Sequence, residues 1–473
     1  MTYFSQLFSQ HIHQKNIKVY ALAQYLNLDR SNMYKIINGK RMPSSSEVVH
    51  KICKFLSLSY DEEQALKCAY EIDLQGAENY FRRKNLFHFF ANFRLPQIHF
   101  SSLDLYEKNG FTPPEYIFPL LSTSEISRAL LHILYDELKT ENGHIDLLLQ
   151  PDHDFFINLL SANDFHHFSG KIRHILCLNN GDSSTHSNYN LYCLEKILPL
   201  YGTISDYNCY YYYDNIDSKI GSVTLFPYMI LTSRYTCLMT SDFSRGYLTN
   251  DPATLRMLSD IYENYLAHLS LLFSPFTTDG KQFEYNLNLI QNSSEGYSFQ
   301  MSPCLTPHLT PELLDKYVIK EIPDRQEFLS TIKNYVQHTF ENSTPAIHRI
   351  CSIDGIRKFL ETGTLSEYPP EIYTPVDLPD RIQLLSGLLR DVNNGFLKIL
   401  KQNIGSLENE IFLYISKSQG YLAFQHTADA PLIYLNIEEP GLIYAFWDFC
   451  ASLTSDLFFT SAEAETELKN LLK

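Results

Sequence analysis

The chain has a single tryptophan in 473 residues and no C-x-x-C pair. It also lacks the ~20 consecutive apolar residues that a membrane-spanning helix needs. Its most apolar stretch, 221–239, is broken by Pro227, Thr232, Ser233, Arg234 and Thr236 and reads as two buried strands. The nine cysteines, at 53, 68, 177, 193, 209, 237, 304, 351 and 450, are odd in number and widely spaced. That excludes a disulfide framework and a zinc site and fits free thiols in a reducing compartment. The first fifteen residues carry no basic n-region and no apolar h-region, so no secretory signal is expected and the cytoplasm is the expected location. Basic residues are in deficit, 38 against 54 acidic, for a formal charge of −16. Such a balance argues against a protein that coats nucleic acid or an anionic membrane with its whole surface.

Hydrophobic residues make up 44% of the chain, which excludes global disorder. Thirty-three tyrosines and 31 phenylalanines suit large cores or an aromatic-lined pocket. An AT-rich codon bias is the plainer account of the same excess. The length is about three times the ~150 residues of a single-domain prior. Charge is divided unevenly along it. Residues 1–60 hold eight basic residues against Asp29 and Glu47, a net +6, and the remainder is −22. This asymmetry points to nucleic-acid contact by the N-terminal end alone.

That end reads as four helices. Phe4, Leu7, Phe8, His11 and Ile12 recur at helical spacing. A second helix runs from about Val19 to Tyr25, and Asn27 stands where a left-handed turn is needed. Asp29 caps a third helix, about Arg30 to Ile37, with Met33 and Ile36 inward. A fourth starts after Pro43, with Ser44 and Glu47 as a capping box and Val48, Val49, Ile52, Phe55 and Leu56 as its core stripe.

The ordered set Leu22-Ala23, Leu26-Asn27-Leu28, Arg30-Ser31-Asn32-Met33-Tyr34-Lys35-Ile36 and Asn38-Gly39-Lys40-Arg41-Met42-Pro43-Ser44 resembles the Cro/C1-type helix-turn-helix family. The resemblance covers less than a tenth of the chain. It implies that the third helix enters the major groove of double-stranded operator DNA. Arg30 and Lys35 are then candidates for guanine edges, and Ser31 is a permissive contact beside Tyr34. Asn32 lies at the edge of that face. Asn38, Lys40 and Arg41 would follow the phosphate backbone, giving affinity and register. Two departures are visible: the second helix opens with Lys18-Val19-Tyr20 instead of Gln or Thr, and Asn27 replaces the usual Gly.

The expected architecture is an all-α N-terminal helix-turn-helix domain over 1–75, a helical connector over 76–95, and a large mixed α/β body over 96–473, with two subdomains divided near 300. The connector carries Arg82-Arg83-Lys84, either a solvated turn or a contact to flanking phosphates. In the body, strands are expected near 145–150, 171–178, 208–213, 225–231, 235–240 and 246–248. Asp251-Pro252 then opens a helix expected to reach about Phe273. Strands at 411–415, 421–426 and 432–437 precede a second helix opened by Glu439-Pro440. Three strands and a Pro-initiated helix thus occur twice, which raises an internal duplication. The run Tyr210 to Tyr213 alternates faces in a strand, as core plus sheet surface, with a tyrosine-lined ligand pocket as the sharper alternative.

The sequence contains no Walker A loop, G-x-G-x-x-G, H-E-x-x-H, G-x-S-x-G or phospholipase-like H-x-K-x4-D. His11 and His13 lie two apart on a helix and do not face together. His166 and His167 sit in an aromatic stretch and read as packed or surface side chains. No metal or cofactor is expected and no enzyme. The expectation is a DNA-binding transcriptional regulator acting as a homodimer, with a small molecule or a protein as candidate effector and no membrane partner. The alternatives are an enzyme that uses the helix-turn-helix for targeting or autoregulation, and a protein-interaction component of the defence or antitoxin type.

Overall fold

The computed structural model describes residues 1–95, 110–111, 116–152, 154–161, 165, 168–179, 189–216, 224–276, 284–286, 288, 295–341, 347–425 and 432–472. The chain forms two compact units, one built on residues 1–85 and one on residues 86–181 and 188–473. His166 and His167 lie outside the described residues.

The first unit is all helical: α1 (Tyr3–Gln14), α2 (Val19–Tyr25), α3 (Arg30–Ile37), α4 (Ser46–Phe55), α5 (Tyr60–Gln75) and the start of α6 (Ala77–Asn92). Phe4, Phe8, Leu22, Met33, Ile52 and Leu66 are at most 1% exposed and form its core. Truncating a buried phenylalanine of this kind costs ~3–5 kcal/mol. The amides of Tyr3 and Phe4, orphaned at the start of α1, donate to the Asp73 carboxylate of α5 at 3.0 and 2.8 Å. Asn27 has φ 55°, the left-handed turn expected of it. The cap of α4 is Ser45, not Ser44, with its hydroxyl accepting from Val48. No capping box forms there, because a cap at Ser45 puts Val48 at the third helical position, and Glu47 pairs with Lys51 at 2.8 Å. A box sits one helix later, where Ser59 and Glu62 open α5.

The second unit carries two sheets. The first consists of β1 (Ile117–Leu120), β2 (His144–Leu148), β3 (Lys171–Asn179), β4 (Tyr207–Asp214), β5 (Tyr228–Thr232), β6 (Thr236–Met239), β7 (Gly246–Thr249) and β8 (Ser270–Leu271). Its spatial order is β1-β7-β6-β5-β2-β3-β4-β8. The second consists of β9 (Phe273–Phe276), β10 (Gly296–Phe299), β11 (Ile347–Ser352), β12 (Leu397–Leu400), β13 (Ile411–Ser416), β14 (Gly420–Gln425) and β15 (Leu432–Ile437), in the order β12-β11-β10-β13-β14-β15-β9.

The two orders are one topology. In each sheet three successive strands run parallel, β2-β3-β4 and β10-β11-β12. The next three return as an antiparallel meander on the other side of the first strand, and the strand that opens the repeat closes the meander edge. The correspondence holds residue by residue. Leu148 pairs with Ile175 and Met229, and Phe299 pairs with Ile350 and Leu413. Carried across the meander, this register matches Pro119 with Pro275, each in its edge strand. It also matches Asp251-Pro252 with Glu439-Pro440. These open α10 (Pro252–Leu266) and α15 (Pro440–Ser452), and both acidic residues cap their helix. The structure is therefore an internal repeat whose sequences have diverged.

The remaining helices are α7 (Thr123–Leu138), α8 (Asp154–Leu160), α9 (Tyr189–Thr203), α11 (Pro311–Tyr317), α12 (Arg325–Glu341), α13 (Ile353–Thr362), α14 (Leu378–Asn393) and α16 (Ser461–Leu471). One continuous core takes in both sheets, α7 to α9, α15 and the end of α6, where Phe90 stacks on Phe449 at 5.1 Å. A second core lies beneath α11 to α14 on the far side of the second sheet. The far side of the first sheet is covered by α10 over Ile175, Met229 and Leu231.

One expected element is corrected. The helix opened at Pro252 ends at Leu266 instead of reaching Phe273. The apolar run that follows is spent on the sheets, because Leu271 pairs with Tyr210 and Phe273 pairs with Ile437. The prolines near 303–311 and 369–379 lie inside the second repeat, where Pro311 and Pro379 open α11 and α14.

Candidate nucleic-acid interface

The α3 helix presents two opposite faces. Met33, Ile36 and Ile37 are buried against the module core. Arg30, Ser31, Tyr34 and Lys35 are exposed on the other side, and the Arg30 guanidinium lies 5.7 Å from the Tyr34 ring centre. Four of the expected residues are therefore brought together on one turn-and-a-half of helix. Asn38 ends α3, its amide donating to the Tyr34 carbonyl at 3.0 Å. Gly39 follows at φ 69°, where a Cβ would sit 2.7 Å from Ser5 Oγ. The turn it makes lets Lys40 and Arg41 return their amides to the Lys35 carbonyl, at 2.8 and 3.2 Å. Asn38, Lys40 and Arg41 are all exposed beside the end of α3.

Asn32 is placed differently from the rest. It is half-buried, and its side chain donates to Asp29 Oδ2 at 2.5 Å while accepting from Arg41 Nη1 at 3.1 Å. Asp29 also caps α3 by accepting from the Asn32 amide at 2.8 Å. That backbone bond, then the Asn32 side chain, holds the Asp29 carboxyl below its usual range. The chain Asp29–Asn32–Arg41 fixes the loop to the helix. Sequence reading identified the cap but not this link, because nothing in the spacing of 29, 32 and 41 announces it.

Charge pairing separates this face from the rest of the module. Lys15, Lys51 and Lys67 pair with Glu62, Glu47 and Glu63 at 2.7–2.8 Å. Among the described residues, Arg30, Lys35, Lys40 and Arg41 form no ion pair with a carboxylate. An exposed cationic surface without internal counter-ions is what a phosphate backbone neutralises. Two members of the connector triplet are otherwise engaged: Arg82 Nη2 donates to Asn79 Oδ1 at 2.7 Å, and Arg83 Nη1 to Gln75 Oε1 at 3.0 Å. His11 is buried in the module core while His13 is exposed, so the two rings diverge.

In the body, the buried Glu137 carboxylate accepts from the His144 amide at 2.8 Å, the Ser233 amide at 3.1 Å and the Ser233 hydroxyl. Ser233 Oγ lies 3.3 Å from His144 Nδ1. The carboxylate addresses the serine and two backbone amides, not the imidazole, and so closes the β5–β6 turn. His308 and Arg349 both reach Asp391 Oδ2, at 2.5 and 2.7 Å, and all three side chains are buried. No helix among the described residues is long and apolar enough to cross a membrane.

The first unit thus has a short helix, a tight turn and a second short helix with a cationic outer face, the geometry of a helix-turn-helix reader. It is a Cro/C1-type helix-turn-helix DNA-binding domain: the model of that family matches residues 8–62. No curated protein matches the chain. Among solved structures, the phosphatidylserine synthase of Haemophilus influenzae Rd KW20 aligns over 79% of this chain and 90% of its own. The identity is 11% and the TM-score 0.21, too low to support an argument about fold or activity.

Proposed function

We propose that the protein is a sequence-specific transcriptional regulator of the cytoplasm whose duplicated body receives a signal or holds two copies together. The observation that carries this reading is the α3 face, where Arg30, Ser31, Tyr34 and Lys35 are exposed and the cations pair with no carboxylate among the described residues. Arg30 and Lys35 read guanine edges, and Lys40 and Arg41 hold the phosphates. A homodimer sets two such helices ~34 Å apart on a pseudo-palindromic operator. The body, which holds the excess acid of the chain, contributes no attraction to DNA and leaves contact to the N-terminal end.

Selection of bound fragments from a genomic library with the full-length protein tests the reading. A recovered motif with two related half-sites supports it. Binding to all fragments alike, or to none at low salt, refutes it.

A further inference from the structure

The two repeats differ in what fills the space beyond the carboxyl ends of their parallel strands. In the second repeat the side chains at that place are buried. Phe299, Met301, Ile350, Leu400, Ile404 and Phe458 all belong to one continuous core. In the first repeat the residues at the matching register positions, Leu148, Gln150, Ile175 and Tyr212, border an open cavity of about 630 Å³. Among the described residues, matching positions are buried in one repeat and border a cavity in the other.

The cavity has the position and size of a small-molecule site. It lies outside the ends of β2, β3 and β4, where β2 changes from a parallel to an antiparallel neighbour. Its volume falls within the ~300–1,000 Å³ that such sites occupy. Its wall is fixed. Arg173 holds Asp146 at 2.6 and 2.7 Å and Glu263 of α10 at 2.6 Å, and the Tyr262 hydroxyl donates to the Arg173 carbonyl at 2.8 Å.

The lining sets the ligand class. Leu148, Ile175, Tyr212, Phe226, Tyr228 and Leu269 make it mainly apolar and aromatic, and no Asp, Glu, Lys or Arg occurs among its described members. Among the described lining residues an ion would find no opposite charge, which favours an uncharged ligand. His268, at the mouth, has Nδ1 2.8 Å from the Asn264 carbonyl. A carbonyl only accepts, so in the neutral imidazole Nδ1 carries the proton and Nε2 is the acceptor. We propose that the first repeat binds an uncharged, mainly apolar ring compound that donates one hydrogen bond to His268. The role of such a ligand as the body's signal rests on the regulatory reading above; the site itself does not.

Calorimetric titration of the full-length protein with 2-naphthol, and with naphthalene-2-sulfonate as the charged counterpart, tests the proposal. The expected result is saturable binding of one 2-naphthol per chain and at least tenfold weaker binding of the sulfonate. Leu148→Trp, which fills the cavity, should weaken 2-naphthol binding at least tenfold. His268→Leu, at an exposed position after α10, should weaken it at least threefold and decides the matter if the tryptophan variant does not fold. Absence of saturable 2-naphthol binding overturns the proposal, as does equal affinity for the sulfonate or full affinity in His268→Leu. Operator binding is measured on the same preparations. Its failure with 2-naphthol binding intact removes the regulatory reading and leaves the ligand site standing.

Discussion

Asn32 accepts a hydrogen bond from Arg41 at 3.1 Å while its amide nitrogen donates to Asp29 at 2.5 Å. An inward-tending side chain on α3 therefore positions a loop cation nine residues later. Asn32→Ala releases Arg41 without removing a charge. It should weaken DNA binding by ~0.5–1.5 kcal/mol, the worth of one hydrogen bond, and equally for all sequences. Arg41→Ala removes the charge itself and should reduce the slope of log affinity against log salt by about one. Fluorescence anisotropy over a salt series distinguishes the two. A change in base preference with Asn32→Ala would show that this side chain reads DNA directly.

Two buried groups in the body titrate in opposite directions. Burial pushes the His174 imidazole down to about 4 from 6.5, and burial pushes the Glu410 carboxyl up to about 7 from 4.5. Between pH 4 and 6.5 the unfolded chain protonates His174 and the folded one does not, so this group makes stability rise with pH. Between pH 4.5 and 7 the folded chain keeps the Glu410 proton and the unfolded one has lost it, so stability falls as pH rises. Each effect is about 3 kcal/mol by linkage. Relative to the wild type, the melting temperature of His174→Gln should fall as pH rises from 4.5 to 7. That of Glu410→Gln should rise from pH 4 to 6.5. Parallel pH profiles for the three proteins would show that neither group is linked to folding.

The matched caps of the repeat helices should not cost the same. Asp251 accepts from the Thr254 amide and hydroxyl, at 2.9 and 2.7 Å, and Asp251→Ala should cost ~1 kcal/mol. Glu439 accepts from the Gly441 and Leu442 amides and also from the Tyr213 hydroxyl. Glu439→Ala removes that third bond as well and should cost ~1.5–3 kcal/mol. Tyr213 is 42% exposed and its freed hydroxyl turns to water, so Tyr213→Phe should cost less in the Glu439→Ala background than alone. Denaturant midpoints measure all three, and additive losses would show that the hydroxyl and the carboxylate do not interact.

The N-terminal module was legible because each of its boundaries has a local cause. α2 and α3 end where expected, since Asn27 and Gly39 are residues that tolerate positive φ. The body was legible in its strands and in the two Pro-initiated helices, which carry acidic caps at fixed positions. The helices α11 to α14 were not read, because their buried residues alternate with exposed charge and the second core forms only when distant segments meet. The repeat was visible as a recurring order but not as an alignment. It is preserved in strand pairing, which leaves side chains free to diverge from Leu148 to Phe299 or from Tyr212 to Leu400. The cavity had one trace in the sequence, the tyrosine run, of which Tyr212 reaches the lining. The wall at His268 had none, since its role follows from a bond to the Asn264 carbonyl.

Base reading by Arg30 and Lys35 is the central assignment, and one measurement addresses it directly. Full-length wild type, Arg30→Ala and Lys35→Ala are each titrated against the selected operator and against operators with every guanine of a half-site replaced in turn. Each variant should lose ~1–3 kcal/mol on the intact operator and become indifferent to the one position its missing side chain contacted. Unchanged affinity and unchanged base preference in both variants would contradict the assignment of α3 as the reading helix.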